Sequence, residues 1–174
     1  MLSYKAPIAD IKFLFEDVFN YYEHYQKHPE FEEATPDLVD AIMEECAKFS
    51  ENELLPLNQS GDEEGCTFND GEVTTPKGFK EAYQKFVEGG WPSLPHAVEH
   101  GGQGLPASLG MVMSEMMGTA NWSWAMYPGL SHGAMNTIHT HGTAEQKELY
   151  LTRLIEGSWT GTMCLTEPQC GTDL

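Results

Sequence analysis

Behind Asp10, bulky apolar side chains fall at Ile11, Leu14, Phe15, Val18, Phe19 and Tyr22, the i, i+3, i+4, i+7 spacing that puts them on one stripe of a helix. That stripe predicts a helix over 11–22 with a core-facing or partner-facing side. Thr35 and Pro36 supply a cap followed by proline at the first helical position, and Leu38, Ile42, Cys46 and Phe49 keep the helical period until Pro56, which predicts a stop. From there to Thr75 the chain is dense in turn formers and reads as a long loop. Thr75-Pro76 repeats the cap-and-proline start, with Phe79, Tyr83, Phe86 and Val87 as the apolar face and Gly89-Gly90 as the stop.

From Pro106, Leu109, Val112, Met113, Met116, Met117 and Ala120 form a wide apolar face, which predicts a central helix buried on more than one side. Methionine adapts to irregular surfaces, so this helix can border a groove for a flexible chain, although core filling is the plainer role. Pro128 predicts the start of another helix, running through Leu130, Ala134 and Ile138 to His141-Gly142. Thr143 and Gln146 make a capping box ahead of Leu149, Tyr150, Leu154 and Ile155, with a stop at Gly157. The pattern therefore predicts an all-α, orthogonal up-and-down helical bundle over roughly residues 10 to 157, with a strand beginning near Trp159.

Composition changes this picture only at the margins. The 174 residues fit one domain, and 40% hydrophobic content is enough for a sizeable core. A formal net charge of −18 repels nucleic-acid phosphates and anionic membranes; 17 acids and four bases lie within residues 1–70, so the excess reads as a solvated face. No apolar run approaches a membrane span and the N-terminus lacks a signal-peptide pattern, so a soluble, cytoplasmic protein is expected. Cys46, Cys66, Cys164 and Cys170 form no C-x-x-C pair and read as reduced packing or loop thiols. His24 and His28, His96 and His100, and His139 and His141 are closely spaced, yet no third ligand follows at a recognisable interval, and no metal site is expected.

The chemistry lies near the C-terminus, in Met163-Cys164-Leu165-Thr166-Glu167-Pro168-Gln169-Cys170-Gly171-Thr172-Asp173. A strand edge over 163–166 offers backbone donors and acceptors to a hydrogen-bonding ring, Pro168 frees the strand end, and Gly171 permits close approach. An ordinary strand-to-turn exit would look the same. The run resembles the flavin-binding signature of acyl-CoA dehydrogenases, an aromatic or Met, then Cys, Val or Leu, then Thr-Glu-Pro and Gly-Ser/Thr-Asp. Met163 and the Gln169-Cys170 pair depart from the commoner residues at those places. Trp91, Leu94, Pro95, Glu99 and Gly101-Gly102-Gln103-Gly104 resemble the same family's characteristic loop; by itself that glycine run reads as a tight turn, since no strand precedes it.

The resemblance implies α,β-dehydrogenation of an acyl-CoA thioester with FAD, with the chain as the N-terminal helical part of a longer enzyme. Met163, Leu165, Thr166, Gly171 and Thr172 would contact FAD, and Thr172 would also approach the acyl-CoA. It implies a boundary near residue 34 between an N-terminal helical extension (1–34) and the helical domain proper (35–158), with 159–174 opening a middle β-domain. The catalytic Glu is expected in a C-terminal domain, so no catalytic residue is assigned here and the chain alone is expected to be inactive. An electron-transferring flavoprotein and a homo-oligomer are the implied partners. Tyr4-Lys5-Ala6-Pro7 with Asp10, Phe13 and Val18, and Pro56-Leu57-Asn58 with Gly61-Asp62, resemble a bacterial branch with an N-terminal extension, acting on medium or long chains or on 3-methylmercaptopropionyl-CoA. The competing reading is a self-standing acidic helical interaction domain without cofactor.

Overall fold

The computed structural model describes residues 3–172. Helix α1 (Ile8–Phe13) runs into a wide π turn over Leu14–Val18, and α2 (Tyr21–Gln26) follows. The single helix expected over 11–22 is thus broken at Asn20, which takes a left-handed conformation with φ 51°. A π turn carries an extra residue, which rotates later side chains off the stripe by roughly 100°. The stripe accordingly splits: Ile11 and Phe15 are buried, whereas Val18 and Phe19, at and beyond the end of the turn, are 51% and 57% exposed.

Helix α3 (Pro36–Phe49) starts where the cap predicts, with Thr35 Oγ1 accepting from the Leu38 amide at 3.4 Å. The expected stop at Pro56 does not occur. A second π turn over Ser50–Leu54 leads directly into α4 (Leu55–Glu64), with Pro56 in its first turn. In a regular helix the proline ring would collide with the carbonyl four residues back; the widened turn relieves that clash. The turn formers of α4 are held helical by packing. Gly61 is buried against Phe79, whose ring would lie 2.5 Å from any Cβ at that position. The rest of the predicted loop is a hairpin of β1 (Thr67–Asn69) and β2 (Glu72–Thr74), antiparallel with Phe68 opposite Val73. Asp70 and Gly71 make its two-residue turn, both with positive φ.

Helix α5 (Phe79–Glu88) begins three residues after the Thr75-Pro76 cap that sequence reasoning favoured, because Gly78 bends the chain with φ 89°. Helices α6 (Ala107–Ala120) and α7 (Trp122–His141) are joined at Asn121 alone. Asn121 is fully buried; its Oδ1 caps the Trp124 amide at 3.1 Å while its Nδ2 donates to the Leu54 carbonyl at 3.2 Å. One side chain thus caps α7 and secures the π turn after α3. Since Asn121 already starts the helix, α7 runs unbroken through Pro128, where a new start was expected. Three weak positions follow one another along α7: Pro128, which leaves the Trp124 carbonyl without its helical donor, then Gly129 and Gly133.

The capping box forms as expected, Thr143 N to Gln146 Oε1 at 2.9 Å and Gln146 N to Thr143 Oγ1 at 3.2 Å. It opens α8 (Ala144–Gln146), a third π turn over Lys147–Leu151, and α9 (Thr152–Ile155), which ends before Gly157. The main core joins α1, α2, α3, α5 and α6 around Tyr25, Val39, Met43, Leu109 and Met116. Fully burying side chains of this size stabilises by about 1.5–3 kcal/mol each. A smaller cluster of Met135, Leu151, Leu154 and Ile155 seats the last helices on α7. No helix among the described residues is long and apolar enough to cross a membrane.

Candidate functional site

A cleft of ≈ 380 Å³ opens between α6 and α7, closed on a third side by α5 and the Trp91–Pro95 loop. Helix α6 contributes Gly110, Met111, Met113, Ser114 and Met117, and α7 contributes Trp122, Met126, Gly129, Leu130 and Met135. The walls are therefore apolar and rich in unbranched, polarisable methionines, suited to a flexible aliphatic or thioether chain. Trp122 also lines the cleft at the start of α7. Trp124 instead lies beneath it in the core, donating from Nε1 to the Phe79 carbonyl at 3.2 Å and packing edge-on to Phe86. Glu115 lies outside the cleft, and none of the cleft's lining residues is a carboxylate.

The polar exceptions are ordered. Ser131 Oγ accepts from the Gly161 amide at 3.0 Å, and Tyr83 donates to the Gly157 carbonyl at 3.1 Å, with burial pushing its hydroxyl up to about 12. Asn136 Nδ2 lies 3.0 Å from His132 Nε2, and His132 Nδ1 lies 3.2 Å from His96 Nε2. An amide nitrogen only donates, so His132 accepts at Nε2 and passes its Nδ1 proton toward His96. Burial, then the neighbouring His132, lowers the pKa of His96 to about 4. Desolvation also lowers that of His132, whose outer face is nevertheless exposed. The pair is neutral at physiological pH. Its spacing of thirty-six residues left no signal in the sequence.

The glycine-rich loop is the tight turn expected of it. The amides of Gly102, Gln103, Gly104 and Leu105 are spent on the carbonyls of Ala97, Ser93, His96 and Leu94 at 2.8–3.0 Å, leaving none of the four for a phosphate. A Cβ on Gly102 would fall 2.0 Å from the His96 carbonyl oxygen. The loop also carries His100 to His139 of α7, beside Glu99. The histidines thus converge across chain distance, where their spacing suggested no third ligand.

Beyond α9 the chain lies against α7 as far as Gly161. Arg153 stacks over Trp159 at 4.6 Å, Tyr127 donates to Thr160 at 3.2 Å, and a Cβ at Gly161 would meet that of Ala134 at 2.6 Å. The strand expected near Trp159 is not formed among the described residues. Residues 160–166 are without regular structure, and a single bridge joins Glu167 to Cys170 around the Pro168-Gln169 turn. An extended edge needs a neighbouring strand to become a ladder, and none lies beside it in the described residues. Met163, Leu165, Thr166 and Thr172 are exposed, and Gly171 lies against Thr166. Asp173 falls outside the described residues.

Residues 37–158 match the family model for the acyl-CoA dehydrogenase N-terminal domain. The chain belongs to the acyl-CoA dehydrogenase family. It is 41% identical to a 3-methylmercaptopropionyl-CoA dehydrogenase of Ruegeria pomeroyi over 99% of this chain and 29% of that protein. To a butyryl-CoA dehydrogenase of Syntrophomonas wolfei it is 33% identical over 79% of this chain and 23% of that one. The solved butyryl-CoA dehydrogenase of Megasphaera elsdenii superposes with a TM-score of 0.66 over 79% of this chain and 34% of its own, at 24% identity, a likeness of fold. The chain spans less than a third of the length of the Ruegeria and Syntrophomonas proteins.

Membership of the acyl-CoA dehydrogenase family makes FAD the group to test against the C-terminal run. The backbone groups of Met163 to Thr166 make no hydrogen bond within the described residues, and the Thr166 and Thr172 side chains are exposed. An open peptide edge beside two hydroxyls has the right donors and acceptors for a flavin's pyrimidine end and for a pyrophosphate. The residues fit the group chemically. Among the described residues this exposed edge has no opposing strand.

Proposed function

We propose that this chain is the N-terminal helical domain of a FAD-dependent acyl-CoA dehydrogenase, with an extension over 1–34, the domain proper over 35–158, and the opening of a β-domain from 159. The cleft between α6 and α7 takes the acyl chain. Its methionine-lined, carboxylate-free walls are the observation that carries this reading. A relative named for 3-methylmercaptopropionyl-CoA supports a short thioether acyl group as one substrate, since polarisable sulfur packs well against methionine and aromatic walls.

FAD, when bound, would supply a hydride acceptor for the β-hydrogen, and a carboxylate would take the α-proton. Apolar walls serve this step by excluding water from the reacting carbons. The base is assigned outside the cleft's own lining, and Glu115 and Glu167 are not its candidates. Met163, Leu165, Thr166 and Gly171 would hold the flavin, and Thr172 would contact both cofactor and substrate. An electron-transferring flavoprotein takes the electrons onward, and the enzyme works as a homo-oligomer in the cytoplasm.

Ser114→Phe in the longer protein tests the cleft, because Ser114 is exposed on its wall and the new ring fills space without entering the core. Excluding two methylenes of a longer acyl chain removes about 1.6 kcal/mol of burial, so KM for that substrate rises about tenfold while a short acyl-CoA is little affected. An unchanged chain-length profile, with FAD retained, would remove the acyl chain from this cleft.

A further inference from the structure

Glu99, His100 and His139 bring one carboxylate oxygen and two imidazole nitrogens within 4.8 Å of one another, joining the glycine-rich loop to the last turns of α7. Glu99 and His100 are neighbours in the chain and His139 lies far from them, yet the backbone of each is held by its surroundings. Glu99 and His100 sit on a single 3-10 turn, Val98–His100, whose exit is fixed by Gly101 at φ 91° and by the contact of Gly102 with the His96 carbonyl. His139 lies two helical turns beyond His132 on the same face of α7, so the His96–His132 contact sets the register that brings His139 to His100.

A second observation points to a ligand. His100 Nε2 is buried and has no hydrogen-bond partner among the described residues, although Glu99 Oε1 lies 3.3 Å away, too poorly aligned to accept from it. A buried imidazole nitrogen left unpaired is costly, and a metal ion is one of the few groups that would use its lone pair.

We propose that Glu99, His100 and His139 form a zinc site that fastens the glycine-rich loop to α7, with water as the fourth ligand. Two ligand atoms of a tetrahedral zinc lie about 3.3 Å apart, the separation that Glu99 and His100 already have. Glu99 and His139 are exposed, so their side chains can rotate to close the remaining gap and the ion has an open path in. Imidazole ligands favour zinc over calcium or magnesium, which take oxygen. The site's role is to tie the loop to the helix, with the water-filled position left open. It lies outside the acyl cleft and does not depend on the reading given to that cleft.

The test is calorimetric titration of zinc chloride into the metal-stripped 174-residue chain, with melting temperatures measured in parallel. One equivalent of zinc is expected to bind and to raise the melting temperature. His139→Gln and Glu99→Gln, both at exposed positions, should each weaken binding by at least about tenfold and abolish the thermal shift. Both should melt like the parent in EDTA, which separates loss of metal from loss of fold. The double variant His24→Gln/His28→Gln removes a close histidine pair elsewhere on the chain and should bind zinc as the parent does. Zinc affinity unchanged in His139→Gln, or lost in the His24/His28 variant, would overturn the assignment, as would no binding by the parent.

Discussion

The Tyr25 hydroxyl and Ser108 Oγ lie 2.5 Å apart, joining α2 to the first turn of α6. Tyr25 is almost fully buried and shares the main core with Val39, Met43 and Met116, so α2, which lies in the proposed N-terminal extension, is built into the core that supports the cleft. Tyr25→Phe should cost about 0.5–1.5 kcal/mol by leaving Ser108 without its partner, whereas Tyr25→Ala should cost about 3–5 kcal/mol through the cavity. Urea unfolding of the two variants checks both figures. If Tyr25→Ala unfolded as readily as Tyr25→Phe, the extension would be an appendage and not a part of the core.

Acid should destabilise the protein before its carboxylates titrate. The folded-state pKa of His96, about 4, lies below the ordinary histidine value of 6.5. The unfolded chain therefore binds the proton first as pH falls. Stability from the buried neutral ring is complete above pH 6.5 and is lost as pH drops from there toward 4, by up to about 3 kcal/mol. Unfolding free energies between pH 7 and 4.5, taken in EDTA, should slope in the parent and flatten in His96→Gln. Parallel slopes would show that His96 does not carry the effect.

Thr166→Val and Thr172→Val, made in the longer protein, separate cofactor contact from turn shaping. Losing one neutral hydrogen bond to the flavin should weaken FAD retention by about 0.5–1.5 kcal/mol. For Thr172→Val, the KM for acyl-CoA should rise as well. Threonines that only shape the turn would lower the melting temperature and leave FAD dissociation unchanged.

The thiols should react in two classes. Cys66 and Cys164 are exposed, whereas Cys46 is fully buried and its thiol is pushed up to about 12 by desolvation. A thiolate reagent at pH 8 should modify the exposed pair within minutes and reach Cys46 only after denaturation. Prompt labelling of Cys46 in the native protein would mean that α3 opens locally.

Helices that announce themselves by caps and stripes were legible: the starts at Thr35, Pro106 and Thr143 and the stops at Gly89 and Gly157 all hold. Reading failed where packing overrode a local signal. Pro56 stops a helix only if the preceding turn is a regular one, and nothing in Ser50 to Leu54 announces a π turn. The stripe of Ile11 to Tyr22 was real, yet Asn20 divided it. Of the functional residues, the methionine face was visible as a period, whereas the His96–His132 and His100–His139 contacts join a loop to a helix and have no period to show. The C-terminal run was legible as a motif alone, since an edge without a neighbour forms no ladder.

The cleft between α6 and α7 has walls of unequal stiffness. Helix α6 presents its buried Leu109, Met116 and Ala120 to the core and stays regular throughout. On the opposite wall, Pro128 has already removed one rung of α7, and Gly129 and Gly133 meet no heavy atom within 4 Å at the place a Cβ would occupy. Bending that wall strains few contacts, so α7 should yield to a bulky guest while α6 sets the dimension that cannot yield. If the cleft takes the proposed acyl chain, engineering for its length belongs on Gly110, Ser114 and Met117 of α6. A change on α7 is absorbed as curvature before any guest is refused.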